Sequence, residues 1–317
     1  MSRRLMTLLA ALLGALLLTG CGSGNGADDE AETEPGQTRT VTHLAGDSEI
    51  PAEPERVVTL WASTMSAMLA LGHTPAGYAF NAEPIEGVDV PEGYDLSAME
   101  QVGHSVDLNL ESIAAVEPDL ILATDVHTDF YDQLSDIAPT VVLDWGGTGA
   151  WQSHLDDVAD VLGASEAAQQ VRTEYEDRAA QVARTIGDPE PIEASVVRFH
   201  ESELRLEVNN SFAGQVLAEI GLDRPEAQDV TEEDSGYLPL SMEEVSQVDG
   251  DVLFAFTIAD GPAEAPNLLE EARQTQLWEN LTVVQNDAVH QVDYMTWISA
   301  NYFAAHRVLD DVEEAFS

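Results

Sequence analysis

The longest uninterrupted segment of the chain is SEAAQQVRTEYEDRAAQVARTIG, residues 165–187. It has no proline, no glycine before its last position and no strand alternation, so it reads as one helix of about 22 residues, roughly 33 Å long. The flanking sequence follows a shorter rhythm. RVVTLW (56–61), PAGYAF (75–80), the end of LNLESIAAVEPDLILATD (108–125) and PTVVLDW (139–145) are apolar runs of strand type. Between them lie helical stretches of about ten residues. STMSAMLALG (63–72) takes Ser63 as its N-cap and Gly72 as its stop, and FYDQLSDIA (130–138) is another. The alternation resumes at ASVVRFH (194–200), continues through SFAGQVLAEIG and DVLFAFT, and ends in YFAAHRVLDDVEEAF. Strands alternating with helices of this size indicate a parallel α/β architecture. Two α/β halves joined by the long helix is the simplest arrangement.

An internal echo supports two lobes built alike. LNLESIAAVEPDLILA (108–123) aligns without a gap to LSMEEVSQVDGDVLFA (240–255), with five of sixteen positions identical. Each lobe then offers the carboxyl edge of its sheet as a ligand face, and two such edges make a cleft. The echo also pairs Glu111 with Glu243, each two residues beyond a cap, Asn109 or Ser241. An acid in a first turn is explained by the helix dipole alone. The pair together offers one carboxylate at the same place on each lobe.

The N-terminus is of another kind. Arg3 and Arg4 precede an apolar run, Leu5 to Leu18, followed by TGCG with the only cysteine of the chain, Cys21. A charged start, apolar middle and small residues at the end make a secretory signal. The run reaches roughly 21 Å as helix, short of a ~30 Å hydrocarbon core. L-T-G-C resembles the bacterial lipobox, which implies cleavage before Cys21 and a diacylglyceryl group on its thiol. Two acyl chains give stable anchoring where one does not. Residues 1–20 are thus expected to be a lipoprotein signal peptide, and 21–40, acid- and glycine-rich, a disordered tether. The expected N-terminal lobe is 41–163, the linking helix 164–187 and the C-terminal lobe 188–317. The protein is expected on the extracytoplasmic face of the cell membrane.

Charge narrows the partners. There are 59 acidic residues against 12 arginines and no lysine, a net charge of −47 among 317 residues. Nucleic acid and anionic membrane surfaces are poor partners for such a chain. No D-x-D-x-D-G loop points to calcium. A solvated acidic surface suited to high salt accounts for the excess, and in molar salt the screening length falls to ~3 Å. Anion recognition would then rest on particular arginines within the site.

NLESIAAVEPDLIL, IAPTVVLDW, SFAGQVLAEIGLDRP, LSMEEVSQVDGDVLF and HRVLDD, in this order and spacing, resemble the ferric-siderophore and cobalamin class of substrate-binding proteins of ABC importers. More narrowly they resemble the iron-siderophore lipoproteins of actinobacteria, over residues 50 to 316. The resemblance implies two Rossmann-like lobes joined by a single long helix, with the ligand cleft between them. It implies a monomer that takes up a ferric siderophore and has no cofactor, iron entering only within the chelate. It also implies docking of Glu111 and Glu243 on arginines of a permease dimer.

The expected ligand contacts lie at strand ends. Trp61 closes the first strand, Trp145 follows PTVVLD, Tyr237 precedes LPLS, and Trp297 follows VHQVDYMT. Singly, such aromatics are more often core or rim; converging from both lobes they suit a bulky, partly apolar chelate. Arg198 interrupts the apolar strand VVRF, where an unpaired charge is costly. A buried acid partner would explain it, and so would a guanidinium facing ligand oxygens, as the resemblance implies; Arg205, in ELRLEV, is a second candidate. Some hydroxamate-binding relatives place an arginine shortly before the N-L-E motif, whereas this chain reads VGHSVDLNLE. With few basic groups to offer, the cleft is expected to favour neutral or cationic hydroxamate-type chelates over catecholates.

Two other functions have sequence features of their own. His104, His127 and His200 are candidates for a zinc or other metal-ion site, without the H-x-H or H-x3-H spacing of a ligand cluster. GDSEI (46–50) and DAVH (287–290) imitate the ends of GDS-type serine hydrolases, with Ser48 as nucleophile and His290 as base. No helix follows Ser48, His290 sits in a strand, and no G-x-S-x-G, H-E-x-x-H, P-loop or dinucleotide fingerprint is present. A binding protein, not an enzyme, is the expectation.

Overall fold

A computed structural model describes residues 37–80, 88–187, 189–200, 203–232, 235–257 and 268–317. The signal segment, Cys21 and residues 22–36 lie outside the described residues. Residues 35–317 form one compact unit. Its first element is a hairpin, β1 (Thr38–His43) with β2 (Gly46–Pro51), so regular structure starts three residues inside the stretch read as tether. The hairpin is tied to the first lobe by Leu44 N–H, which donates to Val142 O, and by the Arg39 guanidinium on the carbonyls of Asp160 and Val161.

The first sheet consists of β3 (Val57–Thr59), β4 (Gly77–Ala79), β5 (Glu100–His104), β6 (Asp107–Leu108), β7 (Leu120–Thr124) and β8 (Thr140–Leu143). Their order is β6-β5-β4-β3-β7-β8, parallel except for the β5–β6 pair. The second sheet holds β9 (Ala194–Phe199), β10 (Leu204–Glu207), β11 (Tyr237–Leu240), β12 (Val252–Thr257) and β13 (Val289–Gln291), in the order β11-β10-β9-β12-β13. Here β9, β12 and β13 run parallel, and β10 and β11 form an antiparallel flank. The echo is real in three dimensions: β7 lies beside β3 as β12 lies beside β9.

Helices α1 (Ala62–Ala70), α2 (Leu110–Ala115), α3 (Tyr131–Ser135) and α4 (Trp151–Leu162) belong to the first lobe, and α5 (Ser165–Ile186) is the single 22-residue linker. The second lobe has α6 (Phe212–Ile220), α7 (Leu268–Arg273), α8 (Gln276–Glu279), α9 (Thr282–Gln285), α10 (Tyr294–Ile298) and α11 (Tyr302–Ala315). Ser63 is not a cap, because α1 starts one residue earlier with Trp61 at the N-cap position; Gly72, at φ +81°, does end the helix. Gly214 has a packing role: a Cβ there would come 2.1 Å from Val208 O, so only glycine lets the first turn of α6 close on the chain leaving β10.

Strand periodicity divides the core. Val57, Leu120, Leu122 and Val141 of the first sheet share one central core with Ala194, Val196, Val252 and Phe254 of the second. The alternate residues, such as Val58, Ile121 and Val142, or Val197, Leu253 and Ala255, fill separate outer cores. The inner face of each sheet is therefore apolar and turned to a shared helical layer in which α4, α5, α6, α10 and α11 meet. Along α5 the residues Ala168, Tyr175, Ala179 and Val182 are buried at helical spacing, giving the linker one apolar stripe.

Candidate functional site

The carboxyl ends of β3 and β8 each deliver an indole. Trp61 stands two residues beyond the end of β3, and Trp145 two residues beyond β8. Both are half-buried and line the same pocket, of about 280 Å³, together with Phe80, Asp89 and Ser105. The opposite wall comes from α10 and the residue after it, through Met295, Ile298 and Ser299. Each indole rests on an imidazole. Trp61 meets His127 edge-on at 6.1 Å, and Trp145 meets His154 edge-on at 5.0 Å. Burial holds the His127 imidazole below its ordinary value and pushes His154 down to about 4. Both rings are neutral at pH 7, which suits an apolar backing for the indoles.

His127 is committed to the fold. Its Nδ1 accepts from Thr124 N–H (3.1 Å) and its Nε2 donates to Ser105 O (2.8 Å). His104 Nδ1 accepts from Val106 N–H, and the His200 backbone closes the β9–β10 turn on Glu203 O. Among the described residues no group of three His, Cys, Asp or Glu side chains could hold a metal ion.

Trp297 is not a cleft residue. The strand expected through VHQVDYMT stops at Gln291, and Asp293 caps α10, which turns Trp297 inward. Its ring stacks on Phe254 at 4.7 Å, its indole N–H donates to Asp311 Oδ2 at 2.7 Å, and it is 1% exposed. On the same short helix Met295 and Ile298, three apart, take the pocket side instead. Neither was legible while the segment read as a strand.

The second sheet brings together Arg198, Arg205 and Tyr237. Arg198 is the penultimate residue of β9, and Arg205 is its partner across the β9–β10 ladder. Their guanidinium carbons lie 5.0 and 4.4 Å from the Tyr237 ring centroid. On the other side of β9, Arg198 is in register with Phe256, whose ring meets Tyr294 of α10 at 6.0 Å. The cluster and the α10 wall therefore share the carboxyl end of one sheet. Arg198 has the buried acid partner that its position in an apolar strand calls for: its Nη2 stands 2.9 Å from Glu207 Oε1. Arg205 Nε donates to Glu203 Oε1 at 2.8 Å. Burial pushes the Glu207 carboxyl up to about 6, although Arg198, Arg224 and Arg205 all pull it down. Glu207 had a sequence signal, since in LRLEV it shares the polar parity of Arg205.

Glu111 and Glu243 are both exposed, in the first turn of α2 and of the 3-10 turn Met242–Val248, and no hydrogen bond or ion pair engages either among the described residues. Asn109 caps α2, while Ser241 is answered by Glu244 in a capping box, leaving Glu243 out of the cap. Ser48 and His290 do not form a catalytic pair. Ser48 Oγ bonds His43 Nε2 (2.9 Å), Tyr131 OH and Thr140 O, whereas His290 lies on β13 against Phe254. His43 Nδ1 accepts from Ala45 N–H, so its proton is on Nε2 and points at Ser48, the wrong tautomer for a base.

Residues 57–294 match the family model described as periplasmic binding protein. The chain belongs to that family. Among its relatives, the probable siderophore-binding lipoprotein YfiY of Bacillus subtilis is 32% identical over 100% of this chain and 99% of the relative. The Fe(3+)-citrate-binding protein YfmC of the same organism is 27% identical, covering 93% and 91%. The crystal structure of Staphylococcus aureus SirA complexed with staphyloferrin B superposes with a TM-score of 0.73 at 28% identity, over 88% of this chain and 98% of SirA. This periplasmic binding protein thus has the two-lobed fold with one connecting helix, and its indole pocket and arginine cluster lie at strand ends of the two sheets, where α/β proteins bind ligands.

Proposed function

We propose that the protein captures a ferric siderophore, of hydroxamate type, between its two lobes and delivers it to an ABC importer without making or breaking a bond. The observation that carries this reading is the pairing of Trp61 and Trp145 across from Met295 and Ile298, an aromatic-lined pocket at the strand ends. Names of relatives that mention siderophore or ferric citrate support the cargo class. In this reading Trp61 and Trp145 pack on the apolar periphery of the chelate, and Arg198, Arg205 and Tyr237 meet its oxygens. The iron arrives within the chelate, and the chain works as a monomer without a cofactor. Cys21 carries the lipid anchor, in keeping with the description of the relative YfiY as a lipoprotein. Glu111 and Glu243 dock on the permease dimer. Among the described residues no helix is long and apolar enough to cross a membrane.

The test is tryptophan fluorescence of the chain from Gly22 in high salt, titrated with ferric hydroxamates, ferric catecholates, ferric citrate and zinc. Saturable quenching by a ferric hydroxamate at sub-micromolar concentration is expected, with no response to the iron-free chelator. Trp61→Phe and Trp145→Phe should each remove part of the quench. A response to zinc alone would replace the reading by metal-ion transport.

A further inference from the structure

The two arginines of the candidate site are not free cations. Arg198 faces Glu207 at 2.9 Å, and Arg205 is held by Glu203 at 2.8 Å. Glu207 is 6% exposed and stands two residues along β10 from the Arg198–Arg205 rung, paired in register with Tyr237. It is fixed from behind as well. Arg224 donates to Glu207 O and to Gln228 Oε1, and Gln228 in turn donates to Ser195 Oγ and accepts from Val196 N–H. This buried network holds the backbone of β10 in place beneath the carboxylate.

A buried carboxylate costs desolvation, offset here by its pairing with Arg198 in an apolar strand. Its effect is on what the arginines can hold. A polyanionic chelate arriving at Arg198 and Arg205 must share them with Glu207, buried at low dielectric, and with the half-buried Glu203. An uncharged hydroxamate oxygen needs only their N–H donors, which the ion pairs orient without using up.

We propose that Glu207, with Glu203 beside it, is a specificity-determining counter-ion that admits neutral or cationic ferric chelates and turns away polyanionic ones. The inference rests on the siderophore reading above and adds the residue that sets its charge preference.

The experiment compares wild type with Glu207→Gln in fluorescence titrations against three ferric chelates: a trihydroxamate with a pendent ammonium, the same chelate N-acetylated, and a trianionic triscatecholate. Wild type should prefer both hydroxamates. Glu207→Gln should shift the ratio of trianion to neutral-chelate affinity about tenfold or more toward the trianion. A shift of the same factor on all three, or none, overturns the counter-ion and leaves the hydroxamate reading standing. A wild type that prefers the trianion overturns both. Should near-ultraviolet circular dichroism show Glu207→Gln misfolded, Glu203→Gln on the more exposed pair decides: a gain of about threefold for the trianion alone is expected, and its absence refutes the proposal.

Discussion

Asp89 shows how much one side chain in this cleft can weigh. It is 2% exposed between two valines, it lines the indole pocket, and its Oδ1 accepts from Asn301 Nδ2 at 3.0 Å while Oδ2 has no partner. Burial pushes its carboxyl up to about 7, against the weaker pull of Ser66 and Asn301. A carboxyl whose folded value is raised favours folding in its protonated form. That contribution is complete below the unfolded value near 3.8 and is lost as pH rises through about 7. At about one and a third kcal/mol per pH unit, the loss approaches ~4 kcal/mol. Asp89→Asn keeps the acceptor for Asn301 and has no charge to bury. It should match wild type in urea unfolding at about pH 3, below the unfolded value, and exceed it by ~2–4 kcal/mol at pH 8.5. An equal difference at both pH values would remove burial of the charge as the cause. Nothing in the sequence singled out Asp89, because an acid between two valines in a loop has no periodicity to betray its burial. Trp61 and Trp145 were legible because they follow unmistakable buried strands. Trp297 misled because its apolar run belongs to a five-residue helix too short to show a period.

At the scale of elements, the internal echo extends to backbone caps. Asp119 accepts from Glu55 N–H and Arg56 N–H at 2.8 and 2.9 Å, pinning the entry to β3. Asp251, at the same offset in the echo, accepts from Glu193 N–H at 2.9 Å and pins the entry to β9. Each is the residue just before the neighbouring parallel strand, so it ties two strands at their amino ends, opposite the ligand edge. Asp119→Ala should cost about 1–3 kcal/mol, with two charge-assisted bonds lost, and Asp251→Ala less. Ligand affinity should be unchanged in both; a fall in affinity without a fall in stability would contradict a purely structural role. The long helix, the parallel strands and this echo could be read from the chain because period and length suffice for them. The β1–β2 hairpin could not, since TRTVTH and GDSEIP have few apolar residues and depend on docking to β8 and α4 for their order. The β10–β11 flank was equally hidden, for its pairing is set by register, not by local sequence.

For the whole molecule, the proposed docking asks two glutamates to be singled out on a chain with 59 acidic residues. Distance screening supplies the answer. At the ionic strength such a surface suits, charges beyond ~3 Å hardly act, so only carboxylates brought into contact contribute. Glu111 and Glu243 qualify on geometry: each is exposed, free of an ion pair among the described residues and placed before the corresponding strand of its lobe, β7 or β12. Their neighbour Glu244 does not, being occupied by the Ser241 cap. In cells, Glu111→Gln and Glu243→Gln should each slow uptake of the iron chelate, and the double variant should abolish it, while the affinity of the purified protein for the chelate stays as in wild type. Glu244→Gln is the internal control, an acid one residue away that should leave uptake intact. Because contact pairs persist when long-range attraction is screened, the difference between Glu243→Gln and Glu244→Gln should survive in molar salt. If the two variants behave alike, docking is set by the general acidity of the surface and not by a matched pair.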